Sequence, residues 1–166
     1  MEYMDAVMAR RSVRKFTEKP VDRKLIENML KAAMAGPSAL GKKPWRFLVV
    51  DSMESVDCLK EALPYGQYNY PAAVIVMGDA EISKHYWAVD ALIAAENLIN
   101  AAADQGVDSV WIGLYPFEKE WQVVQEKMNI PENVKPVCVI ALGYGEEKQE
   151  AQTSYMEERI CWNTYE

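Results

Sequence analysis

The 166-residue sequence is poor in soft metal ligands. Its three cysteines, Cys58, Cys138 and Cys161, stand far apart with no Cys-x-x-Cys pair, and His85 is the one histidine. Ligands so few and so scattered do not make a zinc or iron–sulfur centre. A sparse, odd cysteine count also fits a reducing cytosol better than a secreted disulfide scaffold. Long apolar runs are missing as well. Ala91 to Ala95 is stopped by Glu96, and no run approaches the roughly 18 residues of a membrane span. Glu2, Asp5, Arg10 and Arg11 come early, with no apolar segment of the signal-peptide kind before them. Basic charge is in short supply, 18 Lys and Arg against 25 Asp and Glu for a net of −7, which argues against a general nucleic-acid binder. The sequence also lacks repeats, low-complexity tracts and linkers. The expectation is a cytoplasmic protein of one domain, residues 1–166, that binds neither nucleic acid nor membrane.

What is present is ordinary globular composition, 50% hydrophobic and 26% charged. The charge is unevenly spread. Residues 1–46 hold eleven Lys and Arg against five Asp and Glu, whereas residues 47–166 hold seven against twenty. A basic head on an acidic body points to a local anionic ligand such as a phosphate.

Apolar periodicity predicts helices over 3–9, 23–35 (N-capped by Asp22 and stopped by Gly36-Pro37), 54–63, 86–104 and 118–128. Core strands are expected at Arg46–Asp51, Ala72–Gly78, Ser109–Tyr115 and Val137–Gly143. The 86–104 helix is apolar on nearly every side and about 30 Å long. So small a chain can hardly wrap it alone, which predicts a subunit interface. The last twenty residues are polar with scattered aromatics (Tyr155, Trp162, Tyr165) and read as an extending tail. The fold class is α+β, a sheet sandwiched by helices.

Three segments could carry chemistry. Arg10-Arg11-Ser12-Val13-Arg14-Lys15-Phe16 packs four cations into six residues, which repel unless an anion or acidic neighbours offset them. Arginine forks and the Ser12 hydroxyl suit phosphate oxygens, and a solvated basic turn fits the same pattern. In the loop from Gly36 to Trp45, small Ser38 and Ala39 permit a close backbone approach to a flat ligand, or simply connect a helix to a strand. At Ile112-Gly113, a glycine inside a strand pattern marks a bulge, a ligand's approach or a strand end.

These segments, in this order and spacing, resemble the nitroreductase family of flavin enzymes. The matching motifs are R-R-S-x-R-x-F at Arg10–Phe16 and P-S-x-x-x-x-x-P-W at Pro37–Trp45. A D-x-x-x-A-x-x-N-L helix follows at Asp90, Ala94, Asn97 and Leu98, then W-I-G at Trp111–Gly113 and L-G-Y at Leu142–Tyr144. The resemblance covers essentially the whole chain, and five motifs in register are specific where each alone is weak.

The resemblance implies an FMN-binding homodimer with two sites at the subunit interface and a C-terminal tail exchanged onto the partner. It places Arg10, Arg11, Ser12 and Arg14 at the FMN phosphate and ribityl chain. It places Pro37, Ser38 and Ala39, from the partner subunit, against the isoalloxazine, with Ile112 and Gly113 on the opposite side. Gly41 stands where the family often has an asparagine that contacts the flavin, and Lys43 where it often has glutamine. Many members also carry a phosphate-gripping arginine after L-G-Y. Here that stretch reads Gln152-Thr153-Ser154, which leaves Lys148 or Arg159 to substitute. Lys42 or Lys43 could stabilise negative charge on the reduced ring. The implied activity passes hydride from NAD(P)H through flavin to an electron-poor acceptor, a nitroarene or quinone, with no side-chain acid or base required and His85 a surface or helix-start residue. An FMN storage, sensor or carrier protein without turnover is the alternative, and a cofactor-free dimeric interaction module is a third.

Overall fold

The protein is described by a computed structural model over residues 2–151 and 153–165. Helix α1 spans Tyr3–Ala9 and α2 spans Arg23–Met34. As its sequence predicts, α2 starts at Asp22, whose carboxylate accepts the Lys24 N–H at 2.8 Å. Strand β1 (Trp45–Val50) leads to α3 (Met53–Ala62), capped by the Ser52 hydroxyl, and then to β2 (Ala72–Asp79). Helix α4 (Trp87–Asp104), β3 (Asp108–Gly113), α5 (Glu118–Lys127) and β4 (Val134–Gly143) complete the sandwich.

The four strands form one antiparallel sheet in the order β1-β2-β4-β3. Every residue of β2 is buried, because helices cover both faces of the sheet. Strand side chains alternate between the faces. Ala72, Val74 and Val76 join Ile26, Met29, Ala94, Leu98 and others from α2 and α4 on one side. Ala73, Ile75 and Met77 join Val56 and Leu59 of α3 and Trp121 and Val124 of α5 on the other, together with Val13 and Phe16.

Helix α4 is the test of the burial argument. One chain buries its sheet-facing side unaided, at Ala88, Ala91, Ala94, Ala95, Leu98, Ile99 and Ala102. Alanines let the helix lie close to the sheet. The apolar residue it leaves outside is mainly Val89, 51% exposed, beside half-buried Leu92 and Ile93.

Two boundaries depart from the sequence pattern by more than one residue. Strand β4 starts at Val134, ahead of Pro136, although proline cannot donate to a central ladder. A register shift accommodates it: Val76 pairs with Cys138 and Met77 with Pro136, so Val137 bulges out of the pairing. On the β3 side the Val137 carbonyl accepts both the Leu114 and Tyr115 N–H groups at 3.0 Å, and β3 ends at Gly113 rather than at Tyr115. From Glu146 onward the described residues lie exposed on the surface, with Trp162 82% exposed and Tyr165 95%.

The approach of α4 to β2 sets a sharp steric limit at Gly78, where a Cβ would stand 2.4 Å from the backbone oxygen of Trp87. Backbone cannot rotate away as a side chain can. Gly78→Ala is expected to cost about 1–3 kcal/mol, the usual range for overpacking, measured as a lower urea midpoint with an unchanged slope.

Candidate cofactor site

The basic segment is pinned by its apolar members. Ser12 bridges Ser109 of β3, and the Val13 N–H donates to the Ser109 carbonyl at 3.0 Å. Phe16 bridges Gly145, while the Thr17 N–H donates to the Tyr144 carbonyl at 2.7 Å. Phe16 is buried. The Asn69 side chain accepts from its N–H at 2.9 Å and donates to its carbonyl at 2.5 Å. Gly143 makes room for the ring, since a Cβ there would stand 2.6 Å from it. With Val13 and Phe16 in the core, Arg14 and Lys15 are turned out to solvent.

The cations gather around two adjoining hollows. Arg10, Arg11 and Lys148 line one of about 380 Å³ with Ser109 and Tyr144. Arg10, Arg11, Ser12 and Arg14 line the other, of about 540 Å³, with Gln149, Thr153 and Ser154 from the tail. Among the described residues, no ion pair engages Arg10, Arg14 or Lys148. Arg11 is partly committed elsewhere. Its Nε–H donates to the Glu150 carbonyl at 2.8 Å and Nη1 to the Arg10 carbonyl at 2.7 Å, while Nη2 is buried without a partner. Lys148 therefore joins the basic cluster, as one of the two expected substitutes. Arg159 lies in an exposed short turn far along the tail, and Gln152 is outside the described residues.

The second segment is shaped by its backbone. Leu40, Gly41 and Lys43 have φ of 55°, 65° and 51°, the left-handed region, and they fold the loop back on itself before β1. The Lys43 N–H donates to the Ser38 hydroxyl at 3.0 Å, and the Ala39 N–H to the Asp90 carboxylate at 3.0 Å. Asn97 donates to the Ala32 carbonyl at the end of α2 and fills the space beside Gly36. Asp90 and Asn97 thus fasten the loop and its helix to α4. Lys42 and Lys43 have exposed side chains, and Pro37 is exposed beside half-buried Ser38 and Ala39.

At the third segment Ile112 is buried. The position a Cβ would take on Gly113 is open, 3.7 Å from the Trp111 ring at its nearest. Packing does not demand a glycine there.

One chain does not bring the three segments together. Trp45 pairs with Gly78 and Gly113 with Cys138, so the Pro37–Lys43 loop and Gly113 share one end of the sheet on opposite edge strands. Three strand spacings, about 14 Å, part β1 from β3. Ser12 meets Ser109 near the other end of β3, four residues and about 13 Å from Gly113. The basic segment and Ile112–Gly113 therefore run along a single edge strand, while the Pro37–Lys43 loop stands apart from them. His85 is exposed ahead of α4.

Comparison with known proteins gives a consistent picture. Residues 7–73 and 61–144 match the sequence profile described as the Nitroreductase family. A protein of Methanothermobacter thermautotrophicus, provisionally named NADH dehydrogenase/NAD(P)H nitroreductase, is 37% identical over 164 residues, 96% of this chain and 86% of its own. A crystal structure from Bacteroides thetaiotaomicron with the same provisional name superposes with a TM-score of 0.93 at 36% identity, covering 99% of both chains. An FMN-dependent nitroreductase from Clostridium difficile superposes with a TM-score of 0.89 at 26% identity, over 98% of this chain and 99% of that one.

The Asp90 tether makes the loop's order testable. A backbone hydrogen bond to a buried carboxylate contributes about 1.5–3 kcal/mol. Asp90→Ala should therefore raise the rate of tryptic cleavage after Lys42 by about tenfold or more, read by mass spectrometry of the fragments, while cleavage elsewhere stays as in the parent.

Proposed function

The chain belongs to the nitroreductase family, and from that premise we propose that residues 1–166 form one FMN-binding domain of an NAD(P)H-dependent oxidoreductase that reduces an electron-poor acceptor such as a nitroarene or quinone. The observation that carries the reading is the cationic cluster of Arg10, Arg14 and Lys148 around Ser12, without an ion pair among the described residues and bordering hollows large enough for a phosphate and its attached chain. The donor set fits the group. Guanidinium forks, an ammonium and a hydroxyl are the partners a phosphate monoester requires, and the buried, partnerless Nη2 of Arg11 is a further donor in want of an acceptor. Asp108 and Glu147 border the same hollow, yet among the described residues neither forms an ion pair with Arg10, Arg14 or Lys148, and an anion would relieve the repulsion among these cations.

Bound FMN would supply the hydride chemistry, accepting from a nicotinamide and passing reducing equivalents to the acceptor. The chain's own part is binding and orientation. Arg10, Arg11, Ser12, Arg14 and Lys148 hold the phosphate end. Ile112 and the bare face of Gly113 admit a flat ring at the far end of the same edge strand. No side-chain acid or base is assigned, because the chemistry resides in the ring.

The remaining wall comes from a second copy. Pro37, Ser38, Ala39, Gly41 and Lys43 stand too far from Gly113 to share one ring with it in a single chain, and a homodimer supplies them in trans. The Val89 strip on α4 and the exposed aromatic tail, with Trp162 and Tyr165, are the surfaces such a dimer covers. The names of the relatives, NAD(P)H nitroreductase and FMN-dependent nitroreductase, agree with this reading.

Two measurements test it. Sedimentation equilibrium should return twice the 18.9 kDa chain mass at micromolar concentration, and a stable folded monomer would count against the shared site. Each charged hydrogen bond to phosphate contributes about 1.5–3 kcal/mol, so Arg10→Ala and Arg14→Ala should each weaken FMN binding by about ten- to a hundredfold in a fluorescence titration, with the dimer intact. The parent should oxidise NADH or NADPH under an added quinone. Flavin that binds tightly yet is never bleached by either nicotinamide anaerobically would favour the carrier reading.

A further inference from the structure

Tyr65 belongs to none of the sequence motifs. It lies on the loop after α3, and its hydroxyl donates to the carbonyl of Gly113. We propose that Tyr65 is a positioning residue that fixes the Gly113 peptide, and with it the face that Ile112–Gly113 presents to the cofactor. The inference rests on the reading above, that this segment lies beside the flavin.

Strand β3 is an edge strand, bonded to β4 on one side only. Strand geometry repeats every two residues, so Ser109 and Gly113 turn their carbonyls the same way. That of Ser109 faces away from β4, where the Val13 N–H takes it. The Gly113 carbonyl likewise faces outward, with no neighbouring strand to hold it, and glycine is the residue with the most backbone freedom. A site that relies on this glycine needs a clamp from outside the sheet.

The loop supplies one on two adjacent residues. Tyr65 holds the Gly113 carbonyl, while from the other side the Leu114 N–H donates to Val137 at 3.0 Å. A planar peptide gripped at both polar atoms cannot rotate without breaking one bond. Gly66 then lies flat on Ile112: its φ is +80°, and a Cβ there would stand 2.9 Å from the Ile112 side chain. The loop is itself braced, with Gln67 Nε2 donating to the Leu63 carbonyl and the Tyr68 N–H to the Gly66 carbonyl, both at 2.8 Å. Burial first, then the charge of the nearby Glu120 and a hydrogen bond to its carboxylate, holds the Tyr65 phenol above its ordinary range, so the hydroxyl remains a donor at neutral pH, shared between Gly113 and Glu120. The ring is 45% exposed and adds little to the core, which makes its hydroxyl separable from folding.

Gly113-Leu114 is the sole Gly-Leu pair in the sequence, so carbonyl-13C glycine with 15N leucine gives one cross-peak that reports this peptide alone. In the parent the peak should move when FMN is added. Tyr65→Phe should shift the carbonyl resonance in the free protein and weaken FMN binding about three- to tenfold, the range of one neutral hydrogen bond, with the melting temperature near the parent's. A Tyr65→Phe protein whose cross-peak or FMN affinity matches the parent's overturns the inference alone. If FMN binds the parent and the peak stays still, Gly113 is remote from the flavin, and both the inference and its premise fall. Should Tyr65→Phe not fold, Gly66→Ala, which lifts the loop off Ile112 with the tyrosine intact, must move the same peak and lower the affinity, and its failure to do so also overturns the proposal.

Discussion

Burial of the two central strands on both faces is the constraint from which the rest of the structure follows. Each residue of β2 is withdrawn from water, and nearly all of β4 is as well. A four-stranded antiparallel sheet buried in this way needs a helical layer above and below. The chain supplies them as α1, α2 and α4 on one side and α3 and α5 on the other. Once both faces are closed, the sheet can meet a ligand only at its edges and ends. The three candidate segments all lie there: the basic turn at the start of β3, Ile112–Gly113 at its finish, and the Pro37–Lys43 loop ahead of β1.

Most of this architecture was legible, because apolar periodicity reports burial directly. The continuous run Ala72–Gly78 read as a doubly covered strand, and it is one. Pro136 was less legible. A proline argues locally against a strand, and only the pairing of β4 with β2 reveals that a bulge at Val137 absorbs it. Helix α4 shows the opposite limit. Its apolar surface looked too extensive for one chain, yet alanine lets neighbours approach so closely that the chain covers most of it.

The candidate site was legible where chemistry is concentrated in sequence and hidden where it is assembled by contact. Four cations in six residues stand out without any structure, as an anion site or a solvated basic turn. The place of Lys148 beside them could be offered only as one of two substitutes until the fold brought residues 10 and 148 together. Asp90 and Asn97 could be listed as a motif, but their work, tethering the Pro37–Lys43 loop and the end of α2, is a matter of distances. Tyr65 gave no signal at all, for a single tyrosine in a turn has no periodicity or spacing. The strand order that sets β1, and the Pro37–Lys43 loop ahead of it, on the opposite edge from Gly113 is equally a matter of topology rather than of spacing along the chain.

The outward carbonyls of Ser109 and Gly113 carry one more consequence. An uncovered edge strand offers its backbone to any passing strand, and sheet proteins aggregate along such edges. Here Val13 takes the carbonyl of Ser109 and Tyr65 that of Gly113, so the strand is closed near both ends while the stretch between them stays short. A foreign strand would have to displace a buried valine turn or a tyrosine before it could zip along β3. The contacts at Ser109 and Gly113 therefore also hinder another chain from joining along β3.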